Sequence, residues 1–212
     1  MSTVSSDRHI HYGSSLYVLL FSNLFTIVIA VYQGWSAREV MLIYWSQSVI
    51  IGIFNVRRML ALQNFSTDGV RMNNRSVDPT PGIKRSMAFF FAIHYGFFHA
   101  VYLVFLLVGN HGETSMNTVA FAACILAFVI NHGYSYRANL ESDLARNPNI
   151  GTIMFFPYAR IIPMHLTIIF GGLMTGASTY ALVLFLLLKT VADVVMHVVE
   201  HSTLRKGNRI RS

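Results

Sequence analysis

Apolar residues recur along this chain in long blocks separated by short polar stretches, with neither the strict alternation of a half-buried strand nor the narrow apolar stripe of a soluble amphipathic helix. Blocks of this kind match a helix crossing a hydrocarbon core, which takes roughly 17 to 25 residues. Six such spans are predicted, near 14–33, 39–60, 86–108, 115–136, 158–176 and 179–201. No shift in composition marks off a second domain, so residues 1–212 read as one all-α, polytopic transmembrane helical domain. Between spans, residues 64–83 are rich in Asn, Asp, Pro and Gly and read as the longest loop, the segment expected to move most. Residues 137–149 read as a short interfacial helix ended by Asn147 and Pro148. Pro157 and Pro163 bracket the start of the fifth span.

Composition agrees with that pattern. Of 212 residues, 54% are hydrophobic and 12% charged, about half the charged share of an ordinary soluble domain. The first dozen residues are polar and no cleavage pattern follows the first apolar block, so no cleavable signal peptide is expected. The single cysteine, Cys124, lies in an apolar run and reads as a small buried side chain.

Charge then orients the spans. Of the 16 Lys and Arg residues, 14 fall in the termini and in the two loops 61–85 and 137–157 or beside them; Arg38 alone falls opposite, and Lys189 lies inside the last span. Basic residues in short loops collect on the cytoplasmic side, so both termini are expected there, in a plasma or inner cell membrane. The net charge of +7 is thereby a topology signal, with the basic side chains anchoring helix ends and meeting anionic lipid headgroups, and nucleic-acid binding is not implied. Trp35, Tyr44, Tyr134, Tyr136 and Tyr158 fall near span ends, as interfacial anchors do.

The chemistry lies in the polar residues inside the spans, each costly in lipid without a partner or a wet cavity. At about 1.5 Å per residue from the cytoplasmic end, His94 on span three, His165 on span five and Asp193 on span six fall about 10 to 12 Å deep. His197, His132 and Asn55 fall about 6 Å deep, and Gln47 about 19 Å deep. Asp193 and His197, one turn apart, face one way, the spacing by which a helix offers two ligands to one ion. His201, a turn further on, is rotated away and close to the interface, and is the weaker ligand. Lys189, one turn deeper, either pairs with Asp193 or orients a substrate carbonyl or phosphate. His94 and His99, five apart, are turned about 140° from each other and cannot share a site; His94 is preferred as the ligand and His99 as a hydrogen-bonded packing residue. Gly96 between them reads as a position of close helix approach. Arg160 stands at the mouth of span five, able to snorkel to headgroups or to cap the cluster. His94, His165, Asp193 and His197 form a three-nitrogen, one-oxygen set that zinc accepts. The competing reading is a satisfied polar network that holds the helices together.

At HYG, RIIPMH and KTVADVVMH the chain resembles a family of small polytopic membrane proteins from bacteria and archaea of unknown function, on His94, Tyr95, Gly96, Arg160, His165, Lys189, Asp193 and His197. That resemblance implies the fold and the location of the site, and an acidic residue where this chain has Gln47. A looser similarity is to the seven-helix ceramidase and progestin-receptor-like hydrolases, which hold zinc near the cytoplasmic face, though with a different helix count and His spacing. Three function classes follow. One is a zinc-dependent hydrolase of a lipid-like, amphipathic substrate, with Asp193 as ligand or general base and Lys189 polarising the substrate. Another is an ion or proton transporter; the third is a non-catalytic subunit of a larger membrane complex or a homo-oligomer.

Overall fold

The computed structural model describes residues 34–108, 118–163 and 182–192, with positions 24, 27, 28, 31, 32, 165, 166, 180, 194 and 195. It divides into two compact units, one of Arg38–Ile161 and one of Met1–Ala37 with Ile162–Ser212, each described by itself.

The first unit is built on three long helices, α1 (Ala37–Ala61), α2 (Pro81–Val108) and α3 (Thr118–Leu144). Glu39 in the first turn of α1 and Arg58 in its last turn each face the helix-dipole end that favours their charge. Thr80 caps α2, its hydroxyl accepting from the Ile83 backbone N–H at 3.3 Å, and Pro81 takes the first helical position, where a missing N–H costs nothing. A short helix, α4 (Ile150–Phe155), begins at Asn149, whose side chain accepts from the Thr152 N–H. A 3-10 turn, Phe156–Arg160, follows, with Pro157 in its first turn.

Side-chain contacts fix the helix directions. Gln47 meets His132 and Arg58 meets Asp143, both pairs 85 residues apart, so α1 and α3 run parallel and in one register. Ser48 meets Tyr95 while Trp45 meets His99, so α1 and α2 run antiparallel. The two helices approach closely at Gly52, where a Cβ would lie 2.6 Å from the Tyr95 ring. Among the described residues nothing lies within 4 Å of a Cβ built on Gly96, so the glycine at the close approach of α1 and α2 is Gly52 rather than Gly96.

Helices α1 and α2 are long and apolar enough to cross a membrane, and most of their residues are not buried, unlike the core helix of a soluble protein. On α2 the polarity is inverted. Its buried stripe, Met87, Phe91, Tyr95, His99, Tyr102 and Leu106, includes three polar side chains, while the outward positions are Phe89, Phe90, Ile93, Phe97, Val104 and Leu107. Water would select the opposite arrangement, whereas lipid accepts this one.

Two expectations about the connecting segments are corrected. Residues 64–83 are not irregular throughout: β1 (Arg71–Met72) and β2 (Arg75–Ser76) pair as an antiparallel hairpin. No separate interfacial helix covers 137–149, because α3 runs unbroken to Leu144 and only then turns. Polar residues such as Arg137 and Glu141 are good helix formers, so the helix outlasts the apolar block that predicts it.

In the second unit, α5 (Leu182–Ala192) buries Leu182, Phe185 and Leu186 and exposes Leu187 and Val191. Lys189, half-buried, continues the buried stripe one turn beyond Phe185.

Candidate functional site: a polar layer in the first unit

Helix α1 offers two adjacent polar residues, one to each neighbouring helix. The Gln47 amide nitrogen lies 3.3 Å from His132 Nε2 and can only donate, so that ring nitrogen accepts. The Tyr95 hydroxyl donates to the Ser48 carbonyl at 3.1 Å, and the Ser48 hydroxyl donates to Tyr95 Oη at 2.6 Å. One turn along, the Trp45 indole N–H donates to the His99 carbonyl at 2.8 Å. These contacts put Gln47 and His132 at one height, whereas the span boundaries expected from apolar block length set them about 13 Å apart in depth. Ending the fourth span at residue 136 made His132 look shallow, whereas α3 continues eight residues further.

His94 and His99 lie on different faces of α2, as their spacing requires: His94 is exposed and His99 is 3% exposed. His99 Nδ1 is 2.8 Å from the Tyr95 carbonyl, which can only accept, so Nδ1 carries the hydrogen. The ring stacks on Tyr95 at 4.2 Å, and its buried Nε2 has no hydrogen-bond partner among the described residues. Hydrogen-bonded packing is therefore what His99 does, as expected.

His94 is held differently. Its Nδ1 is 2.8 Å from Tyr158 Oη, and its ring stacks on Phe90 at 5.2 Å and meets Phe98 edge-on at 5.1 Å. The Tyr158 ring sits edge-on against Phe91 at 5.7 Å and Tyr95 at 5.5 Å, so it packs against α2 as well as bonding His94. Ser48, Tyr95, Tyr158 and His94 thus form one supported series, with α1 at one end and an exposed imidazole edge at the other. No local pattern near PYAR foretold this role for Tyr158, since its contact with α2 depends on α4 and the 3-10 turn folding back.

Of the remaining sequence-predicted site residues, His165 lies in the second unit, helical and exposed, and Lys189 lies on α5. Asp193, His197 and His201 lie outside the described residues, as does the Arg160 side chain. Among the described residues no three His, Cys, Asp or Glu side chains come together as a metal set. Asn55, expected beside the ligands, instead donates to the Ile153 carbonyl at 3.2 Å and ties α1 to α4. Cys124 is half-buried rather than buried.

The features together define a mostly helical protein with, among the described residues, two helices of membrane-spanning length whose inward faces carry hydrogen-bonded polar pairs. The chain belongs to DUF6498, a family of unknown function, whose model matches residues 9–209. Neither a curated protein nor a solved structure matches it.

Proposed function

We propose that this chain is a six-span protein of the cell membrane, with both termini cytoplasmic, that holds a zinc ion between His94, His165, Asp193 and His197 and hydrolyses a lipid-like substrate. The observation that carries the reading is the bond between His94 Nδ1 and Tyr158 Oη at 2.8 Å. A metal-ligating imidazole characteristically gives its second ring N–H to an oxygen acceptor, which fixes the tautomer and leaves the other nitrogen for the ion. With its hydrogen on Nδ1 and the Tyr158 hydroxyl oxygen accepting, His94 fits that arrangement, and its exposed ring is then available through Nε2. Lys189, on the buried stripe of α5, is suited to polarise a substrate carbonyl or phosphate, and Asp193 one turn on to act as ligand or general base. Zinc supplies Lewis acidity and activates water near neutral pH.

The topology half of the reading draws on charge. Arg57, Arg58, Lys84, Arg85, Arg137 and Arg146 gather where α1 ends, α2 begins and α3 ends, while Arg38 lies at the opposite end of α1. Elemental analysis tests the metal half: zinc near one equivalent, lost in H94A, H165A or H197A, supports it, and absence of metal from protein purified without chelator refutes it.

A second reading, a proton pathway, is favoured by the Gln47–His132 and Ser48–Tyr95 pairs, which bring groups able to pass protons to one height. Proton flux into proteoliposomes that is abolished in H132A would select it over hydrolysis.

A further inference from the structure

The connection between α1 and α2 is held firmly at its root. The Thr67 hydroxyl donates to the Val77 carbonyl at 2.6 Å, and the Asn149 amide donates to the Asp68 carbonyl at 2.8 Å. The Ser66 carbonyl accepts from the Ile150 N–H at 3.0 Å, and the Ser66 N–H donates to the Pro148 carbonyl at 2.9 Å. From this root the hairpin projects through Asn73 and Asn74, with φ of 50° and 63°, the two left-handed residues of a tight type I′ turn.

Its side chains form an unusual surface. Arg71, Met72 and Arg75 are all exposed, and among the described residues neither arginine side chain has a hydrogen-bond or ion-pair partner. The carboxylate of Asp68 accepts from the Ser66 hydroxyl at 2.6 Å, and Asp143 accepts from Nε and Nη2 of Arg58. Met72 lies across from Arg75, so a thioether and a guanidinium share one face of the ribbon. Exposed Arg85, Arg137 and Arg146 stand at the same end of the helices, and the outward apolar band of α2 begins at Phe89, one turn below Arg85.

We propose that the Arg71–Ser76 hairpin is a docking element for anionic phospholipid headgroups, with Arg71 and Arg75 taking the phosphate oxygens and Met72 entering the headgroup boundary. The proposal rests on the membrane reading above. Arginine presents a fork of donors that matches phosphate, and a pre-ordered ribbon holds two forks without the ordering cost of a free loop. An acidic lipid surface is favoured over a soluble polyanion for two reasons. The hairpin joins the ends of α1 and α2, the helices with membrane-spanning character, where lipid phosphates lie, and the ribbon face that carries Arg75 also carries Met72, an apolar side chain that a fully hydrated partner would leave in water, while Arg71 projects from the other face beside Ser76.

The test is native mass spectrometry of the detergent-purified full chain titrated with phosphatidylglycerol or phosphatidylcholine. Wild type is expected to retain phosphatidylglycerol preferentially, and R71Q/R75Q to lose roughly twenty-five-fold of that preference, about fivefold per basic residue. The substituted positions are exposed, so thermal unfolding should be unchanged, and R71K/R75K should keep part of the preference. Equal retention of the two lipids by wild type, or a preference untouched in R71Q/R75Q, overturns the proposal. So does displacement of phosphatidylglycerol by a short RNA at equimolar concentration, which would assign the hairpin to a soluble polyanion. Recovery of the chain in the soluble fraction without detergent overturns the membrane reading itself, a separate outcome.

Discussion

Gln47 and His132 meet at 3.3 Å across α1 and α3, and Arg58 and Asp143 repeat the pairing eleven residues along both helices with the same separation of 85. A charged pair near one end and a polar pair near mid-length pin two parallel helices against sliding. A shift by even one residue would unpair both.

Breaking the charged pair from one side is expected to be costly, because Arg58 and Asp143 have side chains only 24% and 10% exposed. Asp143→Ala leaves a guanidinium largely out of water and should lower stability by about 3 kcal/mol. R58M/D143L, which removes both charges, should recover most of that loss. Thermal unfolding in detergent reads both, and an equal loss in the double variant would contradict the account.

Gly52, at the contact of α1 with α2, and Gly96, on the exposed side of α2, should respond in opposite ways to alanine. In Gly52→Ala the new methyl meets Tyr95 at 2.6 and 2.9 Å, and that ring is trapped between Phe91 and His99, so a loss of about 1 to 3 kcal/mol is expected. Gly96→Ala meets nothing within 4 Å among the described residues and should gain up to about 1 kcal/mol from helix propensity. Unfolding midpoints of the two variants moving in the same direction would contradict this assignment.

A double-mutant cycle on Ser48 and Tyr95 should give a coupling of about 1 kcal/mol, since S48A and Y95F each remove one member of the same hydroxyl pair. A coupling near zero, measured by unfolding of the four proteins, would mean that the 2.6 Å contact contributes nothing.

How far these features were legible varied with their range. Apolar block length located α1 and α2 to within a few residues, because their outward positions are apolar along nearly the whole helix and the inward polar residues are too few to break the block. It failed at α3, whose last turns are polar but still helix-forming, and the misplaced end carried His132 to the wrong height. The hairpin had a local signal in Asn73-Asn74, two residues tolerant of left-handed backbone, hidden within a stretch whose composition reads as irregular. Gly52 and Gly96 are indistinguishable in sequence, since only the partner ring separates them. Tyr158 was least legible, as its partner His94 is 64 residues away.

The proposed topology predicts which loops face which side. In a C124A background, a membrane-impermeant maleimide should label Asn110→Cys and not Asn73→Cys in right-side-out vesicles, with the reverse in inverted ones. Labelling of both from one side would exclude the six-span arrangement.

The central claim, an imidazole site built around His94, is tested most directly by zinc K-edge X-ray absorption on the purified full-length chain. The account predicts stoichiometric zinc with first-shell nitrogen and oxygen at about 2.0 to 2.2 Å, an outer-shell imidazole signature, and loss of that signature in H94A. A chain without zinc, or a spectrum unchanged in H94A, would contradict it.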